Sequence, residues 1–207
     1  MPKHPREELT FLMIKPDGVR RGLTGEIVRR LEQVGLKIVA LEMQRPSRKQ
    51  VDDHYPKSNA WIERLGDKTL ATYAKYGYDA KAELGTDKPA KLGHMVRGWL
   101  MNFMTSAPVV IMAIKGVHAV SMVRKLAGNT MPADAPLGTI RGDFSVDSAA
   151  VANREKRAVY NLVHASETEG EARHEIKHWF GPTSARRGET GKSMIHDYAR
   201  TDDEVFR

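Results

Sequence analysis

Apolar positions in this chain alternate between short continuous runs and stripes of helical period. Residues 10–14, Thr-Phe-Leu-Met-Ile, form a run ended by Lys15-Pro16-Asp17-Gly18, which predicts a buried strand entering a turn. Ile27, Val28, Leu31 and Val34 then follow a 3.6-residue period, with Thr24 as the expected cap and Gly35 as the stop. Residues 36–43 alternate loosely around Leu36, Ile38 and Leu41 and predict a second strand. Ser47-x-x-Gln50 reads as a capping box opening a short helix that Pro56 ends. Residues 57–91 hold Gly66, Gly77, Gly85 and Pro89 among many charges and read as an insertion, partly helical, with a loop at 85–89. Leu92, Met95, Val96, Trp99, Leu100 and Phe103 make a helical stripe whose Met and aromatic content suits core packing. Residues 108–114, Pro-Val-Val-Ile-Met-Ala-Ile, are the strongest strand, followed by a helix over 117–127 stopped by Gly128. The Gly, Pro and Asp of 129–143 exclude a long regular element. A short strand is expected near 144–146, then a charged stretch to 160, then a last helix over about 168–180 ending at Gly181-Pro182. The tail from 183 is polar and reads as peripheral.

The resulting order is strand–helix–strand, intervening helices, then strand–helix–strand. That doubled pattern predicts an α+β fold, a ferredoxin-like split β-α-β sandwich: a four-stranded antiparallel sheet with helices packed on one face. A length of 207 residues suits one domain, spanning 1–207 with the insertion and tail as additions. Hydrophobic residues make up 41%, enough for a core. The formal net charge of +7 favours anionic partners, whether nucleotides, nucleic acid or acidic lipids. Zero cysteine removes disulfides, Cys-ligated metals and thiol nucleophiles, and fits a reducing compartment. No run approaches the roughly 18 apolar residues of a membrane span, and the start lacks a signal-peptide stretch. A soluble cytoplasmic protein is expected.

Three motifs compete for the chemistry. His174-Glu175-Ile176-Lys177-His178 is a literal H-E-x-x-H, in which histidines at i and i+4 can grip zinc with the Glu as base. A catalytic site of that kind wants a third protein ligand, and position 184, where the longer form places a His, is Ser184. Gly188-Glu189-Thr190-Gly191-Lys192-Ser193 ends like a Walker A loop, but two residues separate its glycines where four are required. The third is a scattered set of anion-binding groups. Lys15 sits at a strand mouth, Arg124 one turn before Gly128-Asn129-Thr130, and Arg141 in Gly138-Thr139-Ile140-Arg141-Gly142-Asp143-Phe144. Asn161-Leu162-Val163-His164-Ala165-Ser166 and Glu175 complete it. Such cations and hydroxyls can clamp phosphates, and a His beside a carboxylate can accept a phosphoryl group.

Thr10-Phe-Leu-Met-Ile-Lys-Pro-Asp-Gly18, Arg21-Gly22, Gly128-x-Thr130, Pro132-Ala133-Asp134, Gly138 to Phe144 and Asn161-x-x-His164-x-Ser166 together resemble the nucleoside diphosphate kinase family, in the right order from about 9 to 180. The resemblance implies transfer of the γ-phosphate of a nucleoside triphosphate, typically ATP, to a nucleoside diphosphate by a ping-pong route through a phosphohistidine. On it His164 matches the nucleophile, Glu175 the acid that orients the imidazole, and Ser166 the support of that Glu. Lys15, Tyr55, Arg124, Thr130 and Arg141 match phosphate-site residues, and Asn161 with Lys15 matches the sugar 3′-hydroxyl contacts. The resemblance implies Mg²⁺ carried mainly by the nucleotide phosphates with no protein metal ligands, and a homo-oligomer, tetramer or hexamer. Neither a membrane nor nucleic acid is required. The family stacks the base on an aromatic ring and packs it against an aliphatic residue; Leu100 matches the aliphatic partner, but counting back from Pro108 puts Arg97 at the aromatic place, with Trp61 or Trp99 as candidates to replace it.

Two other readings remain open on sequence: a zinc hydrolase using His174, Glu175 and His178, and a non-catalytic basic module binding nucleic acid. Metal analysis separates the first from the kinase, and salt-sensitive binding without turnover marks the second.

Overall fold

The continuous apolar run at 10–14 lies inside β1 (Glu7–Ile14), where Phe11, Leu12, Met13 and Ile14 are all inaccessible to solvent. A strand apolar at every position, with side chains alternating in direction, must be covered on both faces. The structure, a computed structural model, describes residues 7–181. The Lys-Pro-Asp-Gly segment, expected as a turn, winds into a short helix, α1 (Pro16–Arg20), because Pro16 occupies the first turn, where its missing N–H costs nothing. Next come α2 (Thr24–Gln33) and β2 (Lys37–Gln44). Thr24 is not a cap: Leu23 holds that position without a side-chain bond.

In α3 (Arg48–His54), Ser47 Oγ accepts the Gln50 N–H, but the Gln50 side chain turns to Gln44, so half of the capping box forms. The segment 57–91 is far more helical than expected, with α4 (Asn59–Lys75), α5 (Ala80–Leu84) and the start of α6 (Pro89–Met104). Then follow β3 (Val109–Val117), α7 (Ala119–Ala127) and a 3₁₀ turn at Pro132–Asp134.

The strand expected at 144–146 does not exist. Phe144 is the last residue of α8 (Ile140–Phe144), which Thr139 caps, and residues 145–146 lie between it and α9 (Ala149–Arg154), which Ser148 caps. Val146 is 95% exposed and meets no sheet edge. The fourth strand is β4 (Val163–Ala165), followed by α10 (Glu169–Trp179).

The sheet order is β2-β3-β1-β4, and every neighbouring pair is antiparallel. Leu12, Ile14, Val110, Met112 and Ile114 pack against α2 and α7 on one face. Phe11, Met13, Val109, Ile111 and Ala113 pack against α3, α6 and α10 on the other. The helices therefore cover both faces rather than the one expected, as the fully apolar strands require. A third, smaller cluster of Tyr73, Ala80, Leu84 and Leu92 makes a local core for α4, α5 and α6. No helix among the described residues is long and apolar enough to cross a membrane. The opening residues before Glu7, Pro182, Ser184, the polar tail from 183 and the Gly188–Ser193 loop lie outside the described residues.

Candidate functional site

The register of β4 sets His164 opposite Met13 of β1. On α10, Ala172, Glu175, Ile176 and Trp179 share the inward face, so a carboxylate is buried among apolar groups. It is fully employed there. Glu175 Oε1 lies 2.6 Å from His164 Nε2 and Oε2 accepts a 2.6 Å hydrogen bond from Ser166 Oγ. With Nε2 committed to Glu175, Nδ1 is the nitrogen of His164 left to react.

His54 adjoins both Glu175 and His164. Its ring meets that of His164 edge-on at 4.9 Å, and Trp179 Nε1 donates to its Nδ1 at 3.3 Å. Burial, reinforced by the His164 and His178 rings, holds the His54 pKa well below the usual value. His54 is therefore neutral, and its 3.7 Å approach to Glu175 is not an ion pair. It walls Glu175 off from water.

His164 also lines a cavity of about 220 Å³ shared with Lys15, Arg124, Thr130, Arg141 and Asn161. Lys15 Nζ donates to Asn161 Oδ1 at 2.7 Å, and Asn161 Nδ2 donates to the Thr130 carbonyl at 3.0 Å. Burial, then the nearby Arg141, pull Lys15 down to about 8. Burial and Arg124 pull Arg141 down to about 10. Cations that depress one another in a common cavity form a site for an anion that neutralises them.

Arg141 has a second task that its sequence position does not reveal. It donates to the backbone carbonyls of Asn161 (3.0 Å), Gly128 (2.8 Å) and Val163 (2.7 Å). Gly128 turns at φ +80°, and a Cβ there would lie 2.4 Å from Thr139 Oγ1, so no larger residue could present that carbonyl. Arg124 is half-exposed and pairs with Glu167 at 3.4 Å.

The structure thus gathers Lys15, Arg124, Thr130, Arg141, Asn161 and His164 around one cavity, with Glu175 and Ser166 behind the imidazole. Tyr55 does not line that cavity; it packs 5.0 Å from His54 and 6.0 Å from Trp61. Burial and Glu175 raise its hydroxyl pKa, keeping the phenol neutral. Arg97, at the place of the base-stacking ring, donates to Asp52 Oδ1 at 2.8 Å, and Trp99 packs into the third core cluster. Sequence reasoning missed His54, although it adjoins Tyr55.

The H-E-x-x-H histidines make no metal site with each other. His174 is exposed, the two rings lie parallel with centroids 6.4 Å apart, and His178 donates to the Gln50 carbonyl at 2.9 Å. Among the described residues, the group with metal-ligand spacing is instead His54, His164 and Glu175.

The nucleoside diphosphate kinase family model matches residues 8–61 and 93–185 of the chain. A nucleoside diphosphate kinase from Pyrobaculum aerophilum is 49% identical over 173 residues, which is 84% of this chain and 94% of that one. Another, from Pyrococcus furiosus, is 34% identical over 200 residues, covering 97% of this chain and 93% of its own. The crystal structure of an NDP kinase from Pyrobaculum aerophilum superposes with a TM-score of 0.81 at 47% identity, covering 86% of this chain and 97% of that one. A Borrelia burgdorferi nucleoside-diphosphate kinase with bound vanadate and ADP, a transition state mimic, superposes with a TM-score of 0.69 at 33% identity, covering 95% and 94%.

Proposed function

The chain belongs to the nucleoside diphosphate kinase family, and we propose that its phosphoryl transfer runs through Nδ1 of His164. The enzyme moves the γ-phosphate of a nucleoside triphosphate onto a nucleoside diphosphate. The observation that carries the residue assignment is His164 itself. One ring nitrogen is held 2.6 Å from a buried carboxylate, and the ring lines a cavity with Lys15, Arg124 and Arg141.

In the first half-reaction the Nδ1 lone pair forms a bond to the γ-phosphorus. The bond from that phosphorus to the β–γ bridging oxygen breaks, and the diphosphate leaves with the electron pair. No proton need leave His164: Nε2 keeps its hydrogen and donates it in a hydrogen bond to Glu175, whose charge stabilises the positive ring that forms. Ser166 holds the other carboxylate oxygen and so the orientation of the pair. Lys15, Arg124 and Arg141 neutralise the charge spread over the transferring phosphoryl group, and Thr130 and Asn161 position the nucleotide. The second half-reaction reverses these steps with a new diphosphate. Tyr55 contributes as a neutral wall residue behind Glu175.

The metal-spaced group of His54, His164 and Glu175 is rich in nitrogen and unlike the oxygen set that Mg²⁺ takes. Mg²⁺ is therefore assigned to the nucleotide phosphates, where it would offset their charge. Segment 57–91 is assigned as an insertion in a single domain, supported by the unmatched stretch between 61 and 93. A homo-oligomer, tetramer or hexamer, and a cytoplasmic location complete the reading, the latter supported by the absence of cysteine.

Incubating the protein with γ-labelled ATP and no acceptor tests the assignment. Acid-labile label is expected on wild type and absent from His164→Ala, which should keep its circular dichroism spectrum and lose almost all transfer. Near-normal turnover in that variant overturns it.

A further inference from the structure

Leu162, two residues before the proposed nucleophile, has φ +67° and is fully buried. A bulky side chain rarely takes that backbone conformation. Across it the Val163 N–H donates to the Asn161 carbonyl at 2.7 Å, closing a three-residue γ-turn of the strained hand. Such a turn persists only where its surroundings over-determine it.

Here the surroundings are traceable group by group. The Leu162 N–H donates to Asp17 Oδ2 at 3.0 Å. The Leu162 carbonyl accepts from the Lys15 backbone N–H at 2.8 Å. Arg141 holds the carbonyls on either side, those of Asn161 and Val163. Asp17 supplies the one side-chain acceptor in this set. It is 8% exposed and does not line the phosphate cavity. A carboxylate in that position is costly: burial raises its pKa, against the pull of Lys15 and of the Leu162 N–H.

We propose that Asp17 is a positioning residue for the transfer: its carboxylate holds Leu162 in the γ-turn that aims β4, and with it His164 Nδ1, at the phosphate cavity. The proposal rests on His164 being the phosphoryl acceptor. Removing Asp17 leaves a buried N–H without a partner. Its simplest relief is rotation of Leu162 back to negative φ. That rotation would disturb the carbonyls that Arg141 holds and shift the start of β4. Arg124 and Thr130 come from another part of the chain, so nucleotide binding should survive better than the aim of the nucleophile.

The test measures formation of phosphohistidine in a single turnover at saturating ATP, together with KM. Wild type is measured first; no label on its His164 would sink the underlying assignment, separately from any Asp17 result. Asp17→Ala is expected to slow phosphorylation by roughly 10- to 100-fold, the scale of a misplacement near 1 Å, with KM changed by less than about threefold. Asp17→Asn keeps a side-chain carbonyl in place and should recover the rate to within about fivefold of wild type. If the Ala variant does not fold, Asp17→Glu decides: it keeps the charge but moves the acceptor by a methylene, and should lose about as much rate as expected for Ala. A lowered melting temperature with a wild-type phosphorylation rate, in Ala or Glu, would reduce Asp17 to a structural role. A raised KM with an unchanged rate would assign it to nucleotide binding instead. Either result overturns the proposal.

Discussion

Lys15 stays charged against the pull of its surroundings, and that has a measurable consequence. With its pKa lowered to about 8, free enzyme loses the cation as pH rises through that value. We expect an alkaline limb in kcat/KM near pH 8, and a later one in kcat, because bound phosphates favour the charged form. Lys15→Arg should remove the limb from the measurable range. Stability runs the other way. The folded pKa lies below the ordinary lysine value of 10.5, so holding the charged form in the fold costs stability below pH 8. That cost is relieved as pH rises toward the unfolded value. A pH-rate profile and a pH series of thermal melts check the two signs.

The two arginines of the cavity look alike in sequence and differ in the fold. Arg124 is half-exposed, and its ion pair with Glu167 is of a kind worth about 0–1 kcal/mol. Arg124→Ala should keep stability nearly unchanged and lower kcat/KM by about 1.5–3 kcal/mol of lost charge-assisted contact. Arg141→Ala takes the same kind of contact and also strips the donors from the Gly128, Asn161 and Val163 carbonyls. Each unpaired buried group costs about 1–3 kcal/mol, so this variant should melt markedly lower as well as turn over slowly. Equal melting temperatures for the two variants would contradict the account. The role proposed for both rests on a pair of cations near glycines in the sequence; the structural load on Arg141 was not legible there, since its partners are backbone atoms from 128 to 163.

At the scale of elements, the segment 57–91 shows where pattern reading went astray. Its glycines argue for breaks, yet Gly66 lies inside the 17-residue α4. Its missing side chain serves a crossing instead: a Cβ on Gly66 would lie 1.9 Å from the Pro89 carbonyl oxygen, and one on Gly93 would lie 1.9 Å from that of Ile62. Gly66→Ala and Gly93→Ala should each destabilise by at least about 1–3 kcal/mol in thermal unfolding. Transfer per folded molecule should stay near wild type, because neither residue lines the phosphate cavity. The opposite error occurred at 144–146, where a strand was expected and none forms. Capping by Thr139 and Ser148 makes helices of its neighbours, and no strand edge is within its reach. The true fourth strand has three residues, too few to show any period.

For the molecule as a whole, β2 is an edge strand whose Leu41 and Met43 are 50% and 58% exposed. Apolar residues on an open edge suit the proposed homo-oligomer. Analytical ultracentrifugation should give a mass near four or six times 23.2 kDa; a monomer at assay concentrations would refute that part of the reading.

The sequence by itself determined what periodic burial encodes. The runs at 10–14 and 108–114 specified the two inner strands, although helices were expected on one face where the structure has them on both. Spaced stripes specified α2 and α6, the Gly181-Pro182 stop bounded α10, and the order of the cations, His164 and Glu175 along the chain was plain. Only the tertiary structure decided how they meet. Antiparallel pairing of β1 with β4 joins Met13 to His164, and the α10 face turns Glu175, but not His174 or His178, toward that ring. The γ-turn at Leu162, the carbonyls on Arg141 and the packing of His54 likewise join segments far apart in the chain. A local pattern records which face of an element is apolar. It carries no record of the strand register that brings backbone groups more than a hundred residues apart into one hydrogen-bonded set.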